Sequence, residues 1–127
     1  MVFIINFSKI KYKKLIRIGI TGGKGLLGRL FIKKLKKKKI RYSLFQGDIL
    51  NRKNISSWLN SNYNIEYIFH FAAISSATKA EKNKINAYNV NVKGTKNLIN
   101  EIKKKKKKIW FFFQAALIFI NIQKILL

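Results

Sequence analysis

The sequence predicts an α/β fold: a parallel sheet with flanking helices, incomplete at about four strands. Three observations lead there. Runs at Leu15–Thr21, Ile40–Phe45, Ile65–Phe71 and Ile109–Phe113 are short and largely apolar, as strands are when helices cover both faces of a sheet. Helical periodicity fills the intervals between them. The first run passes directly into Thr21-Gly22-Gly23-Lys24-Gly25-Leu26-Leu27-Gly28, a glycine-rich turn that opens a helix. Strands alternating with helices imply right-handed crossovers and parallel pairing.

Each element has its own justification. Residues 1–14 are a lead-in without a recognisable role. Leu15–Thr21 is the first strand. Leu26–Lys37 is the first helix, with Leu27, Leu30, Phe31 and Leu35 expected as its apolar stripe. Ile40–Phe45 is the second strand, and Gly47-Asp48-Ile49 follows it. Asn51 is placed to cap a short helix carrying Ile55, Trp58 and Leu59. Ile65–Phe71 is the third strand, and Ala72–Lys79 reads as a small-residue loop. A long helix is expected next, with Ile85, Tyr88, Val92, Thr95, Ile99 and Ile102 on one face. Gly94 falls inside it. A helix glycine costs about 1 kcal/mol against alanine, so close packing on the sheet is expected to compensate. Ile109–Phe113 is the fourth strand. Residues 15–113 thus form one domain, and residues 114–127 form an apolar tail.

Composition narrows the chemistry. A chain of 127 residues supports one modest domain. There is no cysteine, which excludes disulfides and thiolate metal sites. His70 is the one histidine, and Asp48, Glu66, Glu81 and Glu101 are the only acids. No metal site or Ser-His-Asp arrangement is expected from so few groups. His70 lies in an apolar strand and reads as a packed core residue.

The formal net charge is +24, from 28 basic and 4 acidic residues. The lysines crowd into Lys33–Lys39 and Lys103–Lys108, each at the end of an expected helix, where cations suit the helix dipole. They read as solvated helix ends, and neither nucleic acid nor membrane is expected as a partner. The tail Ile109–Leu127 is apolar after a basic run, but Gln114, Asn121, Gln123 and Lys124 interrupt it. A bilayer span needs about 20 mostly apolar residues. No signal peptide is recognisable, and the expected location is cytoplasmic.

The glycine turn carries the clearest functional signal. Gly22 permits the strand-to-helix turn, Gly25 lets a pyrophosphate approach bare backbone, and Gly28 lets the helix pack closely. The helix N-terminus then aims N–H groups and a positive dipole end at phosphate. Asp48 lies just beyond the second strand. There it either accepts a hydrogen bond from a nucleotide or supports the following turn. Ala72, Ala73, Ile74 and Ser75 either leave room for a cofactor over the third strand's end or form an ordinary tight connection. Asn91 either reaches toward a cofactor or braces a strand end.

Four pieces together resemble the extended short-chain dehydrogenases/reductases, the NAD-dependent epimerase/dehydratase family of sugar-nucleotide enzymes. They are Thr21-Gly22-Gly23-Lys24-Gly25-Leu26-Leu27-Gly28, Gly47-Asp48-Ile49, His70-Phe71-Ala72-Ala73 and Asn91-Val92-Lys93-Gly94-Thr95. The resemblance covers about Leu15 to Phe113, with some likeness to the dTDP-4-dehydrorhamnose reductase branch. It implies a Rossmann domain binding NAD or NADP. Gly22, Gly25, Leu26, Leu27 and Gly28 would lie at the phosphates, and Asp48 and Ile49 near the adenine. Phe71, Ala72, Ala73, Ser75 and Asn91 would surround the ribose and nicotinamide. No acid ends the second strand to take a ribose 2′-hydroxyl, and Lys24, Arg29 and Arg41 suit a 2′-phosphate, so the choice of cofactor stays open.

The chain also departs from the family. Gln114-Ala115-Ala116 stand where the family has a Ser/Thr pair, and no Tyr-x-x-x-Lys occurs before Leu127. The acid/base machinery and the nucleotide-sugar lobe are therefore expected to be missing, as in a truncated family member. The aromatic face of Trp110–Phe113 is then expected to be uncovered and to favour self-association. Two other readings stay open: a basic module for cofactor or polyanion, and a membrane-tethered remnant, both without catalysis.

Overall fold

The computed structural model describes residues 17–74 and 76–113, without the side chain of residue 77. Its elements are β1 (Arg17–Thr21), α1 (Leu26–Lys37), β2 (Tyr42–Leu44), α2 (Arg52–Ser61) and β3 (Ile65–His70). Then come α3 (Ala77–Lys82), α4 (Lys84–Tyr88), a π-helical turn (Asn89–Gly94), α5 (Thr95–Lys103) and β4 (Trp110–Phe113). The four strands are parallel in the order β2-β1-β3-β4. The lead-in, Leu15, Ile16 and the tail 114–127 lie outside the described residues.

The strands are shorter than their apolar runs, but the ladder reaches past them. Ile18 N–H donates to the Arg41 carbonyl, Phe45 N–H to Ile20 and Phe71 N–H to Thr21. Two apolar clusters cover the sheet. One gathers Ile18, Ile20, Leu35 and Phe69 with Phe31 and Ile32 of α1. The other joins Ile55, Trp58 and Leu59 of α2 to Ile68 of β3 and Leu98 of α5. Burying each such side chain contributes about 1.5–3 kcal/mol. Helix α1 therefore covers one face, and α2 and α5 cover the other.

Helix α1 occupies the expected span, but its stripe is narrower. Leu27 and Leu30 are exposed, and Leu35 with the partly buried Phe31 and Ile32 makes the contact. The loop expected to run to Lys79 gives way earlier to α3, because the Ser76 hydroxyl accepts from Lys79 N–H and caps a helix there.

The expected long helix is broken into α4, the π turn and α5, and its buried face differs. Ile85, Tyr88 and Val92 are exposed, while Ala87, Gly94, Leu98 and Glu101 are buried. A π turn inserts an extra residue into the helical repeat, which rotates the face that a 3.6-residue count places inward. Gly94 does pack closely, but on a connection rather than on the sheet. A Cβ there would lie 2.6 Å from Ile49 Cγ2, in the segment between β2 and α2.

Candidate cofactor site at the strand ends

The chain leaves β1 in one direction through α1 to β2, then returns past β1 through α2 to β3. In open parallel sheets a reversal of this kind opens a crevice at the carboxyl ends of the two central strands. Here those ends are Thr21 and His70, paired in register. The loops beyond them meet at Gly22. Its φ is +72°, and a Cβ would sit 2.4 Å from Ala72 N and from Phe71 C. Two separate restraints, the left-handed backbone and the neighbouring loop, thus require glycine.

The next glycines differ in kind. A Cβ on Gly28 would stand 2.2 Å from the Gly22 carbonyl oxygen, so the first turn of α1 rests on the glycine turn itself. The close contact expected at Gly28 is therefore with the turn rather than with the sheet. Gly25 has no such neighbour: the nearest atom to its Cβ position is Gly22 O at 3.5 Å. Among the described residues, nothing demands a glycine there. What the missing side chain leaves is open backbone at the head of α1.

That head carries no side-chain cap and no acid in its first turn. Asn51, Ser76 and Asn83 cap α2, α3 and α4 with side-chain oxygens. The first N–H groups of a helix have no intrahelical partner, and at α1 they open beside Gly25, with Leu26 and Leu27 exposed around them. An anionic group fits this arrangement through backbone donors and the helix dipole.

Asp48 is exposed, and its Oδ1 accepts from Leu50 N–H at 2.9 Å. The turn-supporting role is present, and the carboxylate still faces solvent. Ile49 is buried in the core against Gly94, so its side chain serves packing. Phe71, Ala72 and Ala73 are half-buried over the end of β3. Ser75 lies outside the described residues. Asn91 braces the loop: its Oδ1 accepts from Ile74 N–H at 2.7 Å and its Nδ2 donates to the Ile74 carbonyl at 3.2 Å. Both ends of its amide are engaged with Ile74.

His70 is buried as expected, but it is also hydrogen-bonded at both ring nitrogens. Nδ1 lies 2.5 Å from Thr21 Oγ1, and Nε2 lies 2.8 Å from Thr95 Oγ1. The Thr95 hydroxyl donates to the Asn91 carbonyl at 2.7 Å. Having one proton, it must accept from His70, so Nε2 carries the hydrogen. Nδ1 is then the acceptor, and Thr21 donates to it. Burial pushes the imidazole pKa down to about 4, which matches this neutral form. Thr21 and Thr95 belong to motifs seen in the sequence, but nothing there identified them as partners of His70.

A parallel sheet reversing around β1, with a glycine turn leading into an uncapped helix, defines the Rossmann-type class of α/β domain. The NAD dependent epimerase/dehydratase family model matches residues 18–119. The chain belongs to that family. It is 27% identical over 122 residues to a UDP-glucose 4-epimerase from Mycoplasma genitalium, across 79% of this chain and 36% of that protein. Among solved structures, a dTDP-4-dehydrorhamnose reductase from Bacillus anthracis in complex with NADP superposes with a TM-score of 0.61 at 27% identity. That match covers 68% of this chain and 31% of the other. A UDP-glucose 4-epimerase from Thermus thermophilus in complex with NAD gives a TM-score of 0.64 at 17% identity, over 69% of this chain and 34% of that one. The chain thus spans about a third of the length of these relatives. Among the described residues, no helix is long and apolar enough to cross a membrane.

Proposed function

We propose that this chain is the NAD(P)-binding portion of a sugar-nucleotide epimerase, dehydratase or reductase. The observation that carries the reading is the open Gly25 backbone at the uncapped head of α1, beside the junction of Gly22 with Phe71 and Ala72. The backbone of Gly25, Leu26, Leu27 and Gly28 would hold the pyrophosphate, with Gly22 keeping the turn closed behind it. Asp48 and the Ile49 backbone would border the adenine. Phe71, Ala72 and Ala73 would flank the ribose and nicotinamide. Asn91 would act indirectly, by holding Ile74. The bound dinucleotide would supply hydride transfer. NAD and NADP both occur in the matched structures.

No Tyr-x-x-x-Lys occurs in these 127 residues, so the proton transfer of an epimerase or reductase is not assigned to this chain. General acid–base help is commonly worth about 10²–10⁴ in rate. Purified protein is therefore expected to bind NADH or NADPH without turning over nucleotide-linked keto sugars. The test is a fluorescence titration of NADH and NADPH against wild type and Gly25→Val. The variant should lose at least tenfold in affinity while unfolding at the wild-type temperature. Equal affinities would remove the phosphate-loop reading.

A further inference from the structure

We propose a second binding site, for single-stranded polynucleotide, at the opposite pole of the sheet from the glycine turn. Each helix runs back toward the strand beginnings, so the lysine-rich ends of α1 and α5 both arrive at that pole. Composition alone is consistent with simply solvated helix ends. The fold adds a cavity of about 360 Å³ between the end of α2 and the connection from α5 to β4. Leu59, Ile65 and Ile109 line it with apolar surface, and Tyr63, Asn60 and Lys105–Lys107 supply its polar lining.

The lysines there have few anions to answer them. Lys105 Nζ donates to Asn60 Oδ1, and Lys107 Nζ donates to the Tyr63 carbonyl, both neutral oxygens. The nearby carboxylate of Glu101 is already engaged by Arg52 and Lys104. Burial holds the Lys107 ammonium below the ordinary lysine value, and Lys105 adds to this while Glu66 opposes it. Cationic groups are thus gathered around an apolar cavity.

Aromatic groups decide the class of polyanion. Tyr63 is 81% exposed at the cavity, and Trp110 is 50% exposed at the start of β4 with Lys108 Nζ 4.1 Å from its ring centroid. Bare phosphate polymers and duplexes offer no free ring to stack on such side chains, whereas single strands do. The cavity volume lies in the range of small-ligand sites, large enough for one base. Asn62 is committed, its Oδ1 to Arg17 and its Nδ2 to the Trp58 carbonyl. Little remains to read base edges, so binding is sequence-tolerant, with phosphates along Lys105–Lys108.

The experiment measures fluorescence anisotropy of labelled 15-nucleotide single strands of RNA and DNA on the full chain across a salt series. Competitors are a duplex of equal length, inorganic polyphosphate and anionic vesicles. Two triple variants carry equal charge loss: Lys105→Gln/Lys106→Gln/Lys107→Gln, and Lys36→Gln/Lys37→Gln/Lys38→Gln at the end of α1. Tyr63→Ala is the third variant, and circular dichroism checks that each folds. The site predicts at least a tenfold loss for the first triple, about tenfold for Tyr63→Ala, and a several-fold smaller loss for the second triple. Equal losses from the two triples would overturn it as mere polycation behaviour. So would no effect of Tyr63→Ala, or competition by duplex, polyphosphate or vesicles as strong as by the single strand. NADH affinity, read in parallel, reports separately on the glycine turn.

Discussion

The Thr21 hydroxyl donates to His70 Nδ1 across 2.5 Å, joining the carboxyl ends of the two central strands. The link continues on both sides. Ala72 N–H reaches Thr21 Oγ1 at 3.4 Å, and His70 Nε2–H passes through Thr95 to the Asn91 carbonyl. One buried imidazole therefore ties β1, β3 and the π turn together directly beneath the glycine turn.

The first prediction is a pH dependence of stability. His70 has an ordinary value of 6.5 and is pushed down to about 4 by burial. The unfolded state therefore takes up a proton first as pH falls. The contribution is complete above about 6.5, declines by about 1.4 kcal/mol per pH unit, and is gone below about 4, a total near 3 kcal/mol. Urea unfolding of wild type and His70→Gln at pH 7.5, 6.5, 5.5 and 4.5 measures it. The variant should lose this slope, and parallel slopes would show that His70 is not the group.

The glycines of the turn should separate into two kinds. Gly28→Ala places a methyl group 2.2 Å from a backbone oxygen, so a loss of about 2 kcal/mol or more is expected, as for overpacking against an immobile neighbour. Gly25 has φ −73° and ψ 171° and open space around it. Gly25→Ala should leave stability unchanged or raise it by a few tenths of a kcal/mol, while weakening NADH binding. Comparable destabilisation by both alanines would contradict this geometry.

The end of α1 offers a stabilising substitution. Lys39 holds φ +54°. Its N–H donates to Lys36 O and Ile40 N–H donates to Leu35 O, the pattern in which glycine commonly ends a helix. A left-handed backbone costs a non-glycine residue about 1 kcal/mol. Lys39→Gly should raise the unfolding free energy by about 0.5–1 kcal/mol, readable as a rise in Tm. A fall would mean that the cap is not held in this form.

Glu101 should be the acid on which packing of α2 against α5 depends. It is buried and receives Arg52 Nε at 2.8 Å and Lys104 Nζ at 2.9 Å. The hydrogen bond from Lys104, joined by that from Arg52, holds its pKa below the ordinary carboxylate value against the opposing effect of burial. Its contribution is thus present above the unfolded-state pKa and is lost as pH falls through the lowered value. Glu101→Gln is expected to cost about 1.5–3 kcal/mol at pH 7, the range for hydrogen bonds to charged groups. The difference from wild type should shrink in acid, and a difference constant down to pH 3 would refute the charge-based account.

The sequence by itself determined the alternation of strands and helices, the parallel sheet and the glycine turn. These depend on local signals: unbroken apolar runs such as Ile65–Phe71, helical spacing in Leu26–Lys37, and Asn51 as a cap. The tertiary structure alone decided which apolar residues face inward and what each motif touches. Leu27 and Leu30 satisfy helical spacing but remain exposed, because α1 lies on the sheet through Phe31, Ile32 and Leu35. Ile85 and Tyr88 fall outside because the π turn shifts the repeat. Gly25 and Gly28 look alike in the motif, yet one faces open space and the other a carbonyl 2.2 Å away. The pairing of His70 with Thr21 and Thr95 joins residues 49 and 25 positions apart. Periodicity and propensity act within a few residues, whereas such pairs exist only once parallel strands are set in register.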